Sequence, residues 1–229
     1  MDAKRGYVPE DNRNFAHEAI RKMKTASRHI CYLINEGYDL KSASTFVGNH
    51  FLLSERQRLA IARSVAASQQ IRERTEKRKD IADLRDQTVW IDGFNEVITL
   101  EVLFSHSILF HCMDRTIRDL AALRGTYRMI PETDQAIRIM LKILQKFGAS
   151  GAIILLDEPV SNSGRLKTRI AEIGEEYPLY LDIQILRDVD MTLYDKEFVI
   201  TSDSVILDHC RSWINLTELA VREENAEVL

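Results

Sequence analysis

Cysteine is scarce: Cys31, Cys112 and Cys210 are the three in 229 residues, and none forms a CxxC or CxxH pair. An odd number at wide spacing excludes both a disulfide framework and a zinc ribbon, so the thiols are expected to be buried and reduced. Long apolar runs are missing as well. Even AIILLDEPV is interrupted by acids and falls short of the roughly 20 residues that span a bilayer. The stretch MDAKRGYVPEDNRN lacks the apolar segment of a signal peptide, and a cytoplasmic protein is expected. Also absent are the GxSxG, Walker A, GxGxxG and HExxH patterns, which removes the residues of the matching hydrolase, P-loop, dinucleotide and zincin chemistries.

What is present suits a globular chain. Hydrophobic residues make up 45% and charged residues 29%, enough apolar matter for a real core and outside the disordered classes. The net charge of −4 conceals a division after Leu84. Residues 1–84 carry 16 Lys and Arg against 11 Asp and Glu, whereas residues 85–229 carry 15 against 24. A basic half beside an acidic half suggests a polyanion-facing module joined to one that gathers carboxylates; two solvated surfaces of unequal charge would look the same. Two domains are expected, residues 1–84 and 85–229.

The first of these reads as helical. Apolar residues from Phe15 to Ile34 recur every three or four positions, and Glu36-Gly37 supplies a left-handed stop. A shorter helix is expected from Leu40 to Phe46. A longer one opens at Ser54, a good cap, with Leu59, Ile61, Ala62, Val65 and Ala66 on its buried side. Its far end, IRERTEKRKD, carries Arg72, Arg74, Lys77, Arg78 and Lys79 interleaved with acids. Together with Arg56, Arg58 and Arg63 these cations are able to contact phosphates; a salt-bridged solvated helix is the commoner meaning of such a run.

After Arg85 the pattern changes to short apolar runs alternating with helical stretches, the mark of an α/β fold with a mostly parallel sheet flanked by helices. Strands are expected at Thr88–Ile91, Ile108–His111, Ala152–Leu156, Leu181–Leu186 and Phe198–Thr201, with Trp213–Asn215 a sixth. Helices are expected near Glu96–Phe104, Arg115–Leu123, Thr133–Phe147, Ser163–Glu176 and Ser204–His209.

Three apolar runs end in aspartate: TVWID at Asp92, AIILLD at Asp157 and FVITSD at Asp203. Parallel strands point one way, so these carboxylates would line the carboxyl edge, where open α/β sheets bind ligands. FHCMD, ending at Asp114, is a weaker fourth case. Like charges in one crevice repel unless a divalent cation neutralises them, and oxygen-only ligands suit Mg²⁺ or Mn²⁺. Each aspartate alone also serves as a helix cap. Asp119 and Asp208 are further metal candidates, with an Arg115 pairing as the duller role for Asp119. PVSNSGR places Ser161, Asn162, Ser163, Gly164 and Arg165 at a helix start, where free N–H groups bind phosphate and an ordinary capped turn is the alternative. RGTYR offers Arg124 and Arg128 around Tyr127, able to grip phosphate and stack on a base. His111 and His209 lack spaced partners and are expected to be structural.

At IDGFN, RDLAALRGTYR, LLDEPVSNSGR and TSDSVILD, the sequence resembles the domain of unknown function 434 family, with NHFLLSERQRLAIARS matching its helical part. More coarsely, IDGFN and the late TSD are similar to the NYN branch of the PIN-like nucleases, whose strand-end aspartates hold Mg²⁺ or Mn²⁺ for RNA cleavage. That resemblance implies Asp92, Asp157 and Asp203 as ligands and Asn95 as an orienting residue. Phe94 stands where Tyr is often found, and Glu96, Glu101 and Asp119 all compete for the role of the helical acid. The expected function is a metal-dependent nuclease acting on RNA. The alternatives are a non-catalytic module that binds RNA or a protein partner, and a nucleotide- or phosphate-binding protein using the Ser161–Gly164 turn.

Overall fold

The computed structural model describes residues 4–121 and 125–229. Its first part is helical: α1 (Asp11–Asn14), α2 (His17–Asn35), α3 (Leu40–His50), α4 (Glu55–Ser64) and α5 (Ser68–Lys77). The stop after α2 works as expected. Gly37 takes φ +90°, and the N–H groups of Gly37 and Tyr38 donate to the Ile34 and Leu33 carbonyls, closing the end of the helix. Ser54 and Gln57 cap α4 reciprocally, each side chain accepting the other's backbone N–H. Ala26, Ile30, Ala43, Val47, Leu53, Ile61 and Val65 form the core of this bundle.

The long helix expected from Ser54 onward is two helices. Val65 turns extended, with ψ 138°, and buries with Ala66 against the bundle, while the Ser68 N–H bonds the Asn35 side chain. Burial of this apolar pair outweighs the continued helical ladder, and α5 leaves at a new angle. Its end joins the sheet: Lys79 N–H donates to Trp213 O.

A short 3-10 turn (Ile81–Leu84) leads into the α/β part. Its elements are β1 (Thr88–Asp92), α6 (Gly93–Phe104), β2 (Leu109–His111), β3 (Ile117–Asp119), α7 (Glu132–Lys146), β4 (Gly151–Asp157), α8 (Ser163–Gly174), β5 (Tyr180–Leu186), α9 (Val189–Leu193), β6 (Val199–Ile200), α10 (Ser204–His209), β7 (Trp213–Ile214) and α11 (Leu216–Glu223). Five strands form one parallel sheet in the order β5-β4-β1-β6-β7. Alternation along the strands separates two cores. Val89, Ile91, Ile154, Leu156 and Ile200 pack against α6, α7, α8 and α11. Trp90, Leu155, Val199 and Trp213 pack against α9 and α10.

The expected helix at Arg115–Leu123 is not helical over its described part, which instead holds the short strand Ile117–Asp119. Arg115 adopts φ +67°, the Asp114 carboxylate accepts from the N–H and hydroxyl of Thr116, and the chain reverses so that β3 pairs antiparallel with β2. These two strands form a separate sheet. Asp114 therefore does not stand at the carboxyl edge, and Asp119 lies on a strand, not on a helix beside Arg115. Among the described residues no helix is long and apolar enough to cross a membrane.

Candidate active site at the carboxyl edge of the sheet

Strand order fixes the location. From β1 the chain moves outward to β4 and β5, then returns across the sheet to β6 and continues to β7. Connections therefore leave β1 and β6 in opposite directions, and a crevice opens between their carboxyl ends. Asp92 ends β1, directly opposite Leu155 of β4, and Thr201-Ser202-Asp203 follows β6. Gly93 lets α6 start at once: a Cβ there would lie 2.7 Å from the Leu155 carbonyl oxygen. That is the physical content of the IDG sequence.

Asp92 is 6% exposed, and its Oδ2 accepts from the Thr201 hydroxyl at 2.9 Å. Burial pushes its carboxyl up to about 8; the negative charges of Asp203, Asp157 and Asp190 add to the rise, and the Thr201 hydrogen bond opposes it. Asp157, half-buried at the end of β4, is raised by desolvation and then by Asp190. Asp190, in the first turn of α9, is raised by desolvation and then by Asp203. Asp203 caps α10, its Oδ1 accepting from Val205 N at 2.7 Å and Ile206 N at 3.3 Å. The expected trio thus shares one edge and one electrostatic environment, with Asp190 a fourth member that sequence reasoning missed. Asp190 closely follows the apolar run LDIQIL, so extending the search for strand-end acids by a few residues would have found it.

Asn95 lies in the first turn of α6. Its Oδ1 accepts from Ser202 N at 2.8 Å and Ser202 Oγ at 3.0 Å, tying the loop after β6 to the start of α6. Thr201 and Ser202, which were assigned no role in the sequence reading, are thereby the local scaffold. Among the described residues no three acidic, histidine or cysteine side chains are gathered into a ready-made cation cage. The donor chemistry nevertheless suits a hard ion. Asp92, Asp157 and Asp203 offer oxygen alone, and Mg²⁺ is commonly held by one or two carboxylates plus substrate phosphate.

The other acids have different occupations. Asp208 is paired with Arg74 at 2.6 Å and accepts from Gln70, which removes it as a free ligand. Asp114 is buried between Arg74 and Arg118, each at 2.7 Å. Asp119 is buried, accepting from Thr99 Oγ1 at 2.9 Å and Ala121 N at 2.6 Å, with its carboxyl raised by burial against the pull of Arg63. Glu101 accepts from Tyr127, Thr133 and Arg5. Glu96 is buried against Thr217, and burial pushes it up to about 7.

Tyr127 is fully buried, with its ring against Phe94 and its hydroxyl on Glu101 at 2.6 Å, so it presents no face to a base. Arg128 is exposed, while Arg124 lies outside the described residues. The SNSGR turn holds this segment: Ser161 Oγ accepts from Tyr127 N at 3.0 Å, and Asn162 Nδ2 donates to Tyr127 O at 2.6 Å. Ser161 and Asn162 are accounted for without a ligand. Ser163, Gly164 and Arg165 begin α8, the latter two exposed. His111 is exposed on β2, and His209 stacks on Tyr194.

Most of the expected phosphate-facing cations are likewise engaged. Arg56 grips Asp11 and the carbonyls of Leu120 and Gly6. Arg58 bonds Leu53 O and Asn49, Lys77 caps the end of α10, and Arg78 pairs with Glu218. Arg72 and Lys79 remain exposed.

Comparison with known proteins finds two family models along the chain. Residues 81–219 match the family model described as Domain of unknown function (DUF5616), and residues 22–77 match Protein of unknown function (DUF434). The DUF434 resemblance, expected over nearly the whole chain, is thus confined to the helical part. An uncharacterized protein of Methanocaldococcus jannaschii is 36% identical over 185 residues, spanning 81% of this chain and 88% of that protein. No solved structure matches.

Proposed function

The chain belongs to the DUF5616 family of domains of unknown function, and we propose that its carboxyl-edge crevice is the centre of a PIN-like, Mg²⁺- or Mn²⁺-dependent nuclease acting on RNA. One observation carries this reading: a buried aspartate at the switch point of a parallel sheet, its proton held by burial and by the charges of Asp157, Asp190 and Asp203. Such a strained acidic set is relieved by a divalent cation.

Asp92, Asp157 and Asp203 would hold the ion. A bound ion would supply an activated water and offset charge developing on the phosphate. The remaining work falls to the protein. Asp92 would give up its proton to serve as a ligand, while Thr201 keeps its Oδ2 oriented and Asn95 fixes Ser202, beside Asp203. Only one oxygen of Asp203 is spent on the α10 cap.

The reading is tested by incubating the protein with a pool of RNA in Mn²⁺. Wild-type protein should cut, and Asp92→Asn or Asp203→Asn should not. A second reading, a non-catalytic module that binds RNA or a protein, is favoured by the lack of three gathered acids among the described residues. It predicts RNA retention without cleavage.

A further inference from the structure

Beside the acidic crevice lies a cleft of about 400 Å³ with walls from both parts of the chain. Ala62, Arg63 and Val65, on and just after α4, form one side; Asn95, Ser202 and Asp203 form the other. Two of the three arginines lining it have all three guanidinium nitrogens engaged. Arg74 commits Nε, Nη1 and Nη2 to Asp208 and Asp114, and Arg118 commits the same three to Ser202 O, Arg63 O and Asp114. Arg63 differs. Its Nη1 donates to the Asp119 carbonyl at 2.7 Å, which anchors the head, and its Nε and Nη2 have no hydrogen-bond partner among the described residues. Its side chain is 36% exposed.

We propose that Arg63 binds a phosphate of an unpaired RNA strand entering this cleft, so that the helical segment and the α/β part build one substrate site. The proposal rests on the nuclease reading for the identity of the strand. A guanidinium anchored through Nη1, with Nε and Nη2 unengaged, is suited to fork onto phosphate oxygens. The position beside Asn95 and Asp203 sets that phosphate next to the acids. A duplex carries its phosphates on a convex surface, whereas a pocket walled on both sides admits a single strand to its floor. Neither matched segment holds both walls: Arg63 falls within residues 22–77, and Asn95 and Asp203 fall within 81–219.

The test uses full-length protein carrying Asp92→Asn, so that bound RNA is not cut. A fluorescent single-stranded oligoribonucleotide, and the same strand in a duplex, are titrated by anisotropy over a KCl series in EDTA. Adding Arg63→Ala should weaken single-strand binding roughly tenfold, the usual effect of losing a charge-assisted contact. It should also reduce the salt slope by about 0.7, the value for one phosphate contact on a single strand. Arg63→Lys should restore the slope, and the duplex should bind more weakly than the strand. An unchanged affinity and slope in Arg63→Ala, equal binding of duplex and strand, or no binding by the parent protein would each overturn the proposal. Cleavage is read separately in protein retaining Asp92. Arg63-dependent binding without Mn²⁺-dependent cleavage sinks the nuclease reading and leaves this site standing.

Discussion

Replacing Asp92 with asparagine should stabilise the cation-free protein above neutral pH. In the fold the carboxyl is pushed up to about 8, against an ordinary value of 3.8. Between those values the folded chain keeps a proton that the unfolded chain has released. Stability therefore falls as pH rises through this window, by at most about 1.4 kcal/mol per pH unit, and levels off above about pH 8. The ceiling is on the order of 5 kcal/mol, and because Asp157 and Asp190 are raised in the same crevice, roughly half of it is the expected share of Asp92. Asparagine removes the ionisation while keeping an acceptor for the Thr201 hydroxyl. Asp92→Asn should accordingly be about 2–3 kcal/mol more stable than wild type near pH 8, with the difference shrinking toward pH 4. Urea unfolding in EDTA, at half-unit steps of pH from 5 to 8.5, reads this directly. Parallel stability profiles for the two proteins, or a less stable variant at pH 8, would refute the claim that the Asp92 carboxyl is desolvated among like charges. The same proton links to cation affinity. Below about pH 8 a bound ion must displace it, so Mn²⁺ binding should tighten as pH rises to that point.

Mn²⁺ at a hundred times its dissociation constant should stabilise the wild type by about 2.7 kcal/mol, and Asp203→Asn should remove most of that increment; an undiminished thermal shift in Asp203→Asn would place the ion elsewhere. Arg74→Met leaves Asp114 buried with Arg118 as its remaining guanidinium partner, and should cost about 3 kcal/mol in urea unfolding, the low end for a broken buried pair. Tyr127→Phe removes one of three hydrogen-bond donors to Glu101, and a loss of about 1 kcal/mol is expected. Charge reversal at exposed Arg72 should weaken RNA retention on filters while leaving the melting temperature unchanged. Reversal at buried Arg74 should instead lower that temperature, so equal melting curves for the two would show that Arg74 carries no structural load.

The parts of the fold written in local pattern were legible. The α10 boundaries, Ser204–His209, follow from an aspartate cap before a short apolar stretch, and the strand ends at Asp92 and Asp157 follow from runs closed by an acid, whereas β6 stops at Ile200, three residues before Asp203. The errors occur where distant contacts decide. DRTIRDL has helical spacing, yet Asp114 bonding Thr116 and the positive φ of Arg115 turn it into a hairpin. Tyr127 looked like a stacking residue because its buried acceptor, Glu101, lies 26 residues earlier in the chain.

The charge division was visible in composition, but its main structural use was not. The basic half supplies counter-charges to the acidic half: Arg5 to Glu101, Arg74 to Asp114 and Asp208, and Arg78 to Glu218. Cations spent in this way are unavailable to a polyanion, since withdrawing Arg74 from Asp114 would leave a buried acid short of a partner. Nucleic-acid affinity therefore has to arise from guanidinium groups with unspent donors. Among the arginines lining the cleft beside the acids, Arg63, which meets Asp119 through Nη1 alone, has that property. The α5 cations Arg74 and Lys77 serve a different end, because both fasten α10, the helix whose cap is Asp203. Helices that resembled an RNA-binding face thus help hold the acidic site in place.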